Sequence, residues 1–170
     1  MRLRDKVLAT MKSRDTEGAF ELYVTRTPGY LWALLFRRLG VHPIAVTLAS
    51  IAIGAAAGYF FYFPSREMNL IGMLLLVWAN WYDCADGQLA RMTGKKTLIG
   101  RILDGFAGDV WFFCIYLAIA LRLTHAWTGL ADFLQHDTWV WALMAWAGLH
   151  CHSRQCALAD YYRNIHLWFL

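Results

Sequence analysis

The sequence predicts an all-α fold: a polytopic membrane bundle of four spans with an N-terminal interfacial amphipathic helix. Three observations carry this. Hydrophobic residues make up 59% and aromatic residues 16% of the 170 residues, with nine tryptophans, far too apolar for a soluble domain of this length. Pro43 to Ser65 contains no charge and is long enough to cross ~30 Å of hydrocarbon as a helix. No apolar–polar alternation suggests strands, so helices must satisfy the backbone groups in lipid.

Taken in order, residues 1–16 are polar and mixed in charge and read as a mobile or surface-lying tail. Residues 17–42 are the juxtamembrane segment, mixing large apolar residues with Arg26, Arg37 and Arg38. Pro28-Gly29 is expected to break any single long helix there. That leaves Leu31 to Leu39 as the amphipathic stretch, with Trp32 in the lipid and the arginine pair near head groups. Residues 43–170 form the transmembrane domain. Its first span opens at Pro43 and ends at the outer turn "PSRE", residues 64–67. The second runs from Met68 to Ala90, interrupted only by Asp83 and Asp86, into the basic inner loop "RMTGKKT", residues 91–97. The third, Ile102 to Leu121, carries only Asp104 and Asp109, and residues 122–137 form a longer outer connection. The fourth is uncharged from Thr138 to Ser153 and continues toward Ala159. The apolar ending "YYRNIHLWFL" has no cap and reads as a chain that continues.

Orientation follows from the basic residues. With the N-terminus inside, the inner segments 1–42, 91–101 and the region after Ser153 hold eight, four and two Lys or Arg, while the outer turns keep Arg66 and Arg122. This is the positive-inside asymmetry. It places the N-terminus and the inner loops on the cytoplasmic side of a cell (inner) membrane. The net charge of +4 then matches an anionic leaflet and anionic substrates rather than nucleic acid.

Cys84, Cys114, Cys151 and Cys156 lie in or near spans and are expected as free thiols behaving as small apolar residues. His152 and Cys156 in "HCHSRQC" have zinc-ligand spacing, but nothing completes a four-ligand site, so packed or solvated groups at a helix end are the expectation.

The chemistry concentrates in four aspartates at the inner ends of the second and third spans: Asp83, Asp86, Asp104 and Asp109. Acids at that depth are costly and mark function. Snorkelling or helix pairing explains one or two of them. Four flanking one short loop would repel one another unless cations lay between them. Asp83 and Asp86 share a helix face that Gly87, Ala90 and Arg91 extend, and Gly100 and Asp104 share a face on the next span. Two antiparallel helices bring these stripes together as an oxygen cluster suited to Mg²⁺ or Mn²⁺. Arg91, Lys95 and Lys96 offer positive charge for phosphates.

"DCADGQLARMTGKKTLIGRILD", Asp83 to Asp104, resembles the signature of the CDP-alcohol phosphotransferase family, D-x2-D-G-x2-A-R, a gap of about eight residues, then G-x3-D-x3-D. Asp83, Asp86, Gly87, Ala90, Arg91, Gly100 and Asp104 match it position for position, as does the gap Met92 to Ile99. "VHPIAVTLAS" also looks like the family's entry to its first span, with Ile44 where an Asn is usual. The resemblance implies a six-span homodimeric membrane enzyme that moves a substituted phosphate from a CDP-linked donor, often CDP-diacylglycerol, to an alcohol and releases CMP. It further implies two divalent metals held on the pyrophosphate by Asp83, Asp86, Asp104 and a last aspartate that also serves as base. Gly87 and Ala90 would make room for the nucleotide, with Asp83, Arg91 and Gly100 completing the CDP site.

Two departures follow. The signature expects its last Asp at position 108, where this chain has Gly108 followed by Asp109. On a regular helix Asp109 points about 140° from Asp104 instead of about 40°. A π-bulge eased by Gly105 and Gly108 would absorb the extra residue and return Asp109 to the metal face as the base; the rival is a regular helix with Asp109 turned elsewhere. The second departure is the span count, four against six, which leaves the acceptor side to Arg37, Arg38, Arg101, Arg154 and Arg163 as candidates for binding an acceptor phosphate. These basics make inositol phosphate or glycerol phosphate a better acceptor than a neutral polyol. The alternatives are a divalent-cation transporter, against which Gly87, Ala90 and Arg91 argue, and an inactive CDP-lipid-binding protein.

Overall fold

The computed structural model describes residues 3–10, 19–124 and 138–169, and every regular element among them is helical. Helix α1 is Leu3–Ala9. A short turn, Ala19–Glu21, runs through a π-helical segment, Leu22–Arg26, into α2, Thr27–Arg38. Then come α3 (Pro43–Phe61), α4 (Arg66–Thr93) and α5 (Leu98–Leu123). Helix α6 (Thr138–Ala145) passes through a second π segment, Trp146–His152, into α7 (Ser153–Phe169).

Two of these, α3 and α5, are long and apolar enough to cross a membrane. The expected second span is one helix of 28 residues, but its polar and charged positions, Arg66, Glu67, Asp83, Asp86 and Arg91 among them, dilute its apolar character. The expected fourth span is divided into eight α, seven π and 17 α residues. Of the outer connection and the N-terminal tail, residues 125–137 and 11–16 lie outside the described residues; residues 3–9 of the tail are helical.

Local chemistry sets the helix ends. Gly40 adopts φ +69°, and the N–H groups of Gly40 and Val41 return to the carbonyls of Arg37 and Phe36 at 3.2 and 3.0 Å, a Schellman closure of α2. Ser65 Oγ accepts the N–H of Met68 at 3.2 Å, and Thr97 Oγ1 accepts that of Gly100 at 3.0 Å, so each caps the helix that follows.

Pro28-Gly29 does not break the chain as expected. Pro28 has no N–H for the Val24 carbonyl four residues before it, and its ring would clash there in a tight α turn. The backbone widens into the π segment instead: the Thr27 N–H reaches Leu22, and Thr27 Oγ1 donates to the same carbonyl at 2.8 Å. The indole Nε1 of Trp81 donates to the Val24 carbonyl at 2.9 Å. Gly29 then lets α2 lie directly on α4, since a Cβ there would sit 2.8 Å from Cβ of Cys84 and 3.3 Å from the Trp81 carbonyl. Gly29→Val is therefore expected to lower the thermal unfolding midpoint in detergent, at a cost of about 2 kcal/mol from overpacking. An unchanged midpoint would show that the two helices separate freely.

The chain divides into two compact units. The first, Met1–Gly54 with Leu74–Val110, has a core of Ala33, Val46, Ala85 and Leu89 that joins α2, α3 and α4, the two alanines letting the backbones approach. Trp32, expected in lipid, is half-buried against Phe36, Trp78 and Tyr82, with ring centroids 5.8, 6.0 and 5.0 Å away. The second unit is Ala55–Met73 with Trp111–Leu170. Within it Gly58 admits Cys114, a Cβ at 58 standing only 2.7 Å from Cys114 Cβ, and Arg122 Nη1 donates to Asn69 Oδ1 at 3.3 Å.

Candidate metal centre

The C-terminal part of α4, from Leu74, and the start of α5 belong to the first unit, and the loop between them turns at Gly94, φ +70°. This hairpin brings together Asp83, Asp86 and Asp104, each offering a carboxylate oxygen within 4.8 Å of the others. The three environments differ. Asp86 is 3% exposed, Asp83 half-buried and Asp104 exposed. Asp83 Oδ1 and Asp86 Oδ2 are buried without a hydrogen-bond partner. Buried polar oxygens are ordinarily satisfied, and three carboxylates this close repel one another strongly. The residues therefore fit a hard divalent cation, which supplies both the missing partners and the compensating charge to an all-oxygen donor set. Thr47 of α3 is 2% exposed, its hydroxyl donating to the Pro43 carbonyl at 3.2 Å, next to Val46, which packs in the core with Ala85 and Leu89 of α4. No spacing rule reveals this packing from the sequence, because α3 meets α4 only in the folded unit.

Asp109 is not part of this group. It is exposed, and α5 is α-helical without interruption from Leu98 to Leu123. The expected π-bulge is absent. An α-helix accepts the register as it stands, because nothing lies within 4 Å of a Cβ at Gly105 or Gly108 to force the turn open.

The rest of the candidate set surrounds the acids unevenly. Gly87, Ala90 and Gly100 are half-buried. The guanidinium of Arg91 folds back over Gly87, its Nη1 and Nη2 lying 3.4 Å from where a Cβ would begin. The space expected for nucleotide beside Gly87 is thus bordered by this arginine. Gly100 faces Ile44 and its own cap Thr97, and a Cβ at position 100 would stand 3.0 Å from Thr97 Oγ1. Arg37, Arg38 and Arg101 are exposed in the same unit. Arg154 is exposed in the second unit, its Nη1 3.3 Å from His150 Nε2; Arg163 falls on α7 and its side chain lies outside the described residues. The thiols of Cys84, Cys114, Cys151 and Cys156 are free. Cys156 Sγ lies 3.6 Å from His152 Nε2, but no third metal-ligating group joins them among the described residues.

The model of the CDP-alcohol phosphatidyltransferase family matches residues 40–161, and the chain belongs to that family. Its two apolar helices and this membership mark a membrane protein. Among curated proteins the chain is similar to the archaetidylinositol phosphate synthase of Pyrococcus horikoshii, 36% identical over 83 residues, which cover 49% of this chain and 43% of that protein. The chain thus spans less than half the length of the curated relative it matches. No solved structure matches.

Proposed function

We propose that the protein is a phosphatidyltransferase that moves a phosphatidyl group from CDP-diacylglycerol to a hydroxyl of a small phosphorylated alcohol, releasing CMP, in phospholipid biosynthesis. The observation that carries this reading is the convergence of Asp83, Asp86 and Asp104 with two buried oxygens left unsatisfied. The name of the curated relative favours inositol phosphate over glycerol phosphate as acceptor.

In this reading Asp83, Asp86 and Asp104 hold two Mg²⁺ or Mn²⁺ ions. When bound, such ions neutralise pyrophosphate charge and stabilise both the attacking and the departing oxygen. Asp83, Gly87, Ala90 and Gly100 line the CDP headgroup, and Arg91 binds its phosphates through N–H donors in a fixed plane. The acceptor oxygen attacks the lipid-side phosphorus, the bond to the CMP oxygen breaks, and CMP leaves with that electron pair. The acceptor proton goes to Asp104. It is the exposed member of the trio and the one an incoming hydroxyl reaches. Arg37, Arg38 and Arg101 draw in the acceptor phosphate, with Arg154 and Arg163 as further candidates. The chain crosses the membrane four times, with α2 at the interface and the N-terminus and active site on the cytoplasmic side, and it assembles as a homodimer.

The test is CMP release by purified protein in detergent with CDP-diacylglycerol, Mn²⁺ and, separately, inositol phosphate, glycerol phosphate, inositol and serine. Release with inositol phosphate at least about tenfold faster than with inositol is expected, a phosphate–guanidinium contact being among the stronger charged hydrogen bonds. No release with any acceptor, together with Mn²⁺ flux into vesicles, would sink the transferase reading in favour of transport.

A further inference from the structure

The α4 face beside the acids is tied to the N-terminal part of the chain through three side-chain donors. Trp81 donates to the Val24 carbonyl at 2.9 Å, Gln88 Nε2 to the Arg26 carbonyl at 3.1 Å, and Arg91 Nε to the Thr10 carbonyl. Trp81, Gln88 and Arg91 lie at intervals of seven and three, so they form one stripe of α4. The third contact differs from the others, because Arg91 also belongs to the signature that begins at Asp83.

The Thr10 carbonyl is held in place by its own helix and by packing. Thr10 is 9% exposed, and its N–H and Oγ1 both return to the Val7 carbonyl, at 2.9 and 2.8 Å. Val7 is fully buried in a cluster with Leu22 and Tyr30, to which Met92, the neighbour of Arg91, also packs. An apolar anchor thus docks α1 so that its closing carbonyl meets the arginine. A guanidinium is planar and rigid, so engaging Nε fixes the plane in which Nη1 and Nη2 present their donors.

We propose that α1 is a positioning element for the donor site: Val7 docks the helix, the Thr10 carbonyl holds Arg91 by its Nε, and the guanidinium is thereby set in advance for the pyrophosphate of the CDP-linked substrate. The inference rests on the transferase reading. Ordering a long side chain before the ligand arrives removes that cost from binding, so its effect falls on donor affinity more than on turnover.

Equilibrium binding of CDP in the presence of Mn²⁺ tests this on the full chain, with initial rates of CMP release alongside. Val7→Asp is expected to weaken CDP binding about tenfold and Val7→Ala about threefold, a preorganisation effect, with kcat changed less than about twofold. Val7→Ile, which keeps the apolar anchor, restores wild-type affinity. In an Arg91→Lys background, where no Nε exists to be held, neither Val7→Asp nor Val7→Ala has a further effect. Labelling by phenylglyoxal reads the same contact without ligand: Val7→Ala speeds modification of Arg91 but not of Arg37 or Arg38. Equal losses in both backgrounds, or unchanged Arg91 labelling, would make α1 a merely structural element and overturn the inference. A wild-type protein that binds no CDP with Mn²⁺ overturns the transferase reading itself, and the inference falls with it.

Discussion

Asp86→Asn is expected to reduce CMP release by roughly 10³-fold or more while leaving the protein folded. The substitution keeps the size of the side chain and removes one charge from a site where Asp86 is 3% exposed and its Oδ2 has no hydrogen-bond partner. Metal neutralisation of transition-state charge supplies several kcal/mol, and every 1.36 kcal/mol is a factor of ten in rate. The stability readout runs the other way. Without metal, the wild-type trio holds mutually repelling carboxylates within 4.8 Å, so the variant unfolds at the same temperature or higher. With Mn²⁺ at 100 times its dissociation constant, wild type gains about 2.7 kcal/mol by mass action, and Asp86→Asn loses most of that gain. Thermal unfolding with and without Mn²⁺ therefore separates a ligand from a structural acid. A variant that unfolds early, or one that keeps its Mn²⁺ stabilisation, removes Asp86 from the metal set.

The sequence made the metal trio readable because its members sit at fixed offsets on two helices joined by one short loop. Asp83 and Asp86 share a face by helical spacing, and the hairpin alone brings Asp104 to them. Apolar runs likewise marked α3 and α5, each long and apolar enough to cross a membrane. What stayed hidden depends on contacts between distant segments. Pro28 reads as a breaker on local rules, yet the indole of Trp81, 57 residues beyond Val24, meets the Val24 carbonyl that the proline leaves without an N–H donor. The tail at residues 1–16 reads as polar overall, while the burial of Val7 depends on Leu22 and Tyr30 folding over it. Thr10 at Arg91 bears no motif, since it acts through its backbone carbonyl. In each case local propensity was correct about the residue and silent about its partner.

Gly108→Asp is expected to strengthen the site, and Asp109→Asn to leave it nearly unchanged. Helix α5 is regular through this region, so position 108 lies about 40° from Asp104 and position 109 about 140°. Asp109 is exposed and outside the trio. A Cβ at 108 meets nothing within 4 Å, so an aspartate enters without a clash, and any residue but proline costs an α-helix less than glycine does. The new carboxylate adds a fourth oxygen donor on the metal face. Mn²⁺ binding is expected to tighten about tenfold, which corresponds to about 1.4 kcal/mol. In the unaltered chain a general base is worth about 10² to 10⁴ in rate, and this loss falls on Asp104→Asn rather than on Asp109→Asn, whose rate stays within about threefold of wild type. The opposite pattern has one physical meaning. If Asp109→Asn loses 10²-fold or more and Gly108→Asp brings no gain in Mn²⁺ affinity, α5 opens by one residue during turnover, and the base is the aspartate that the resting helix turns away.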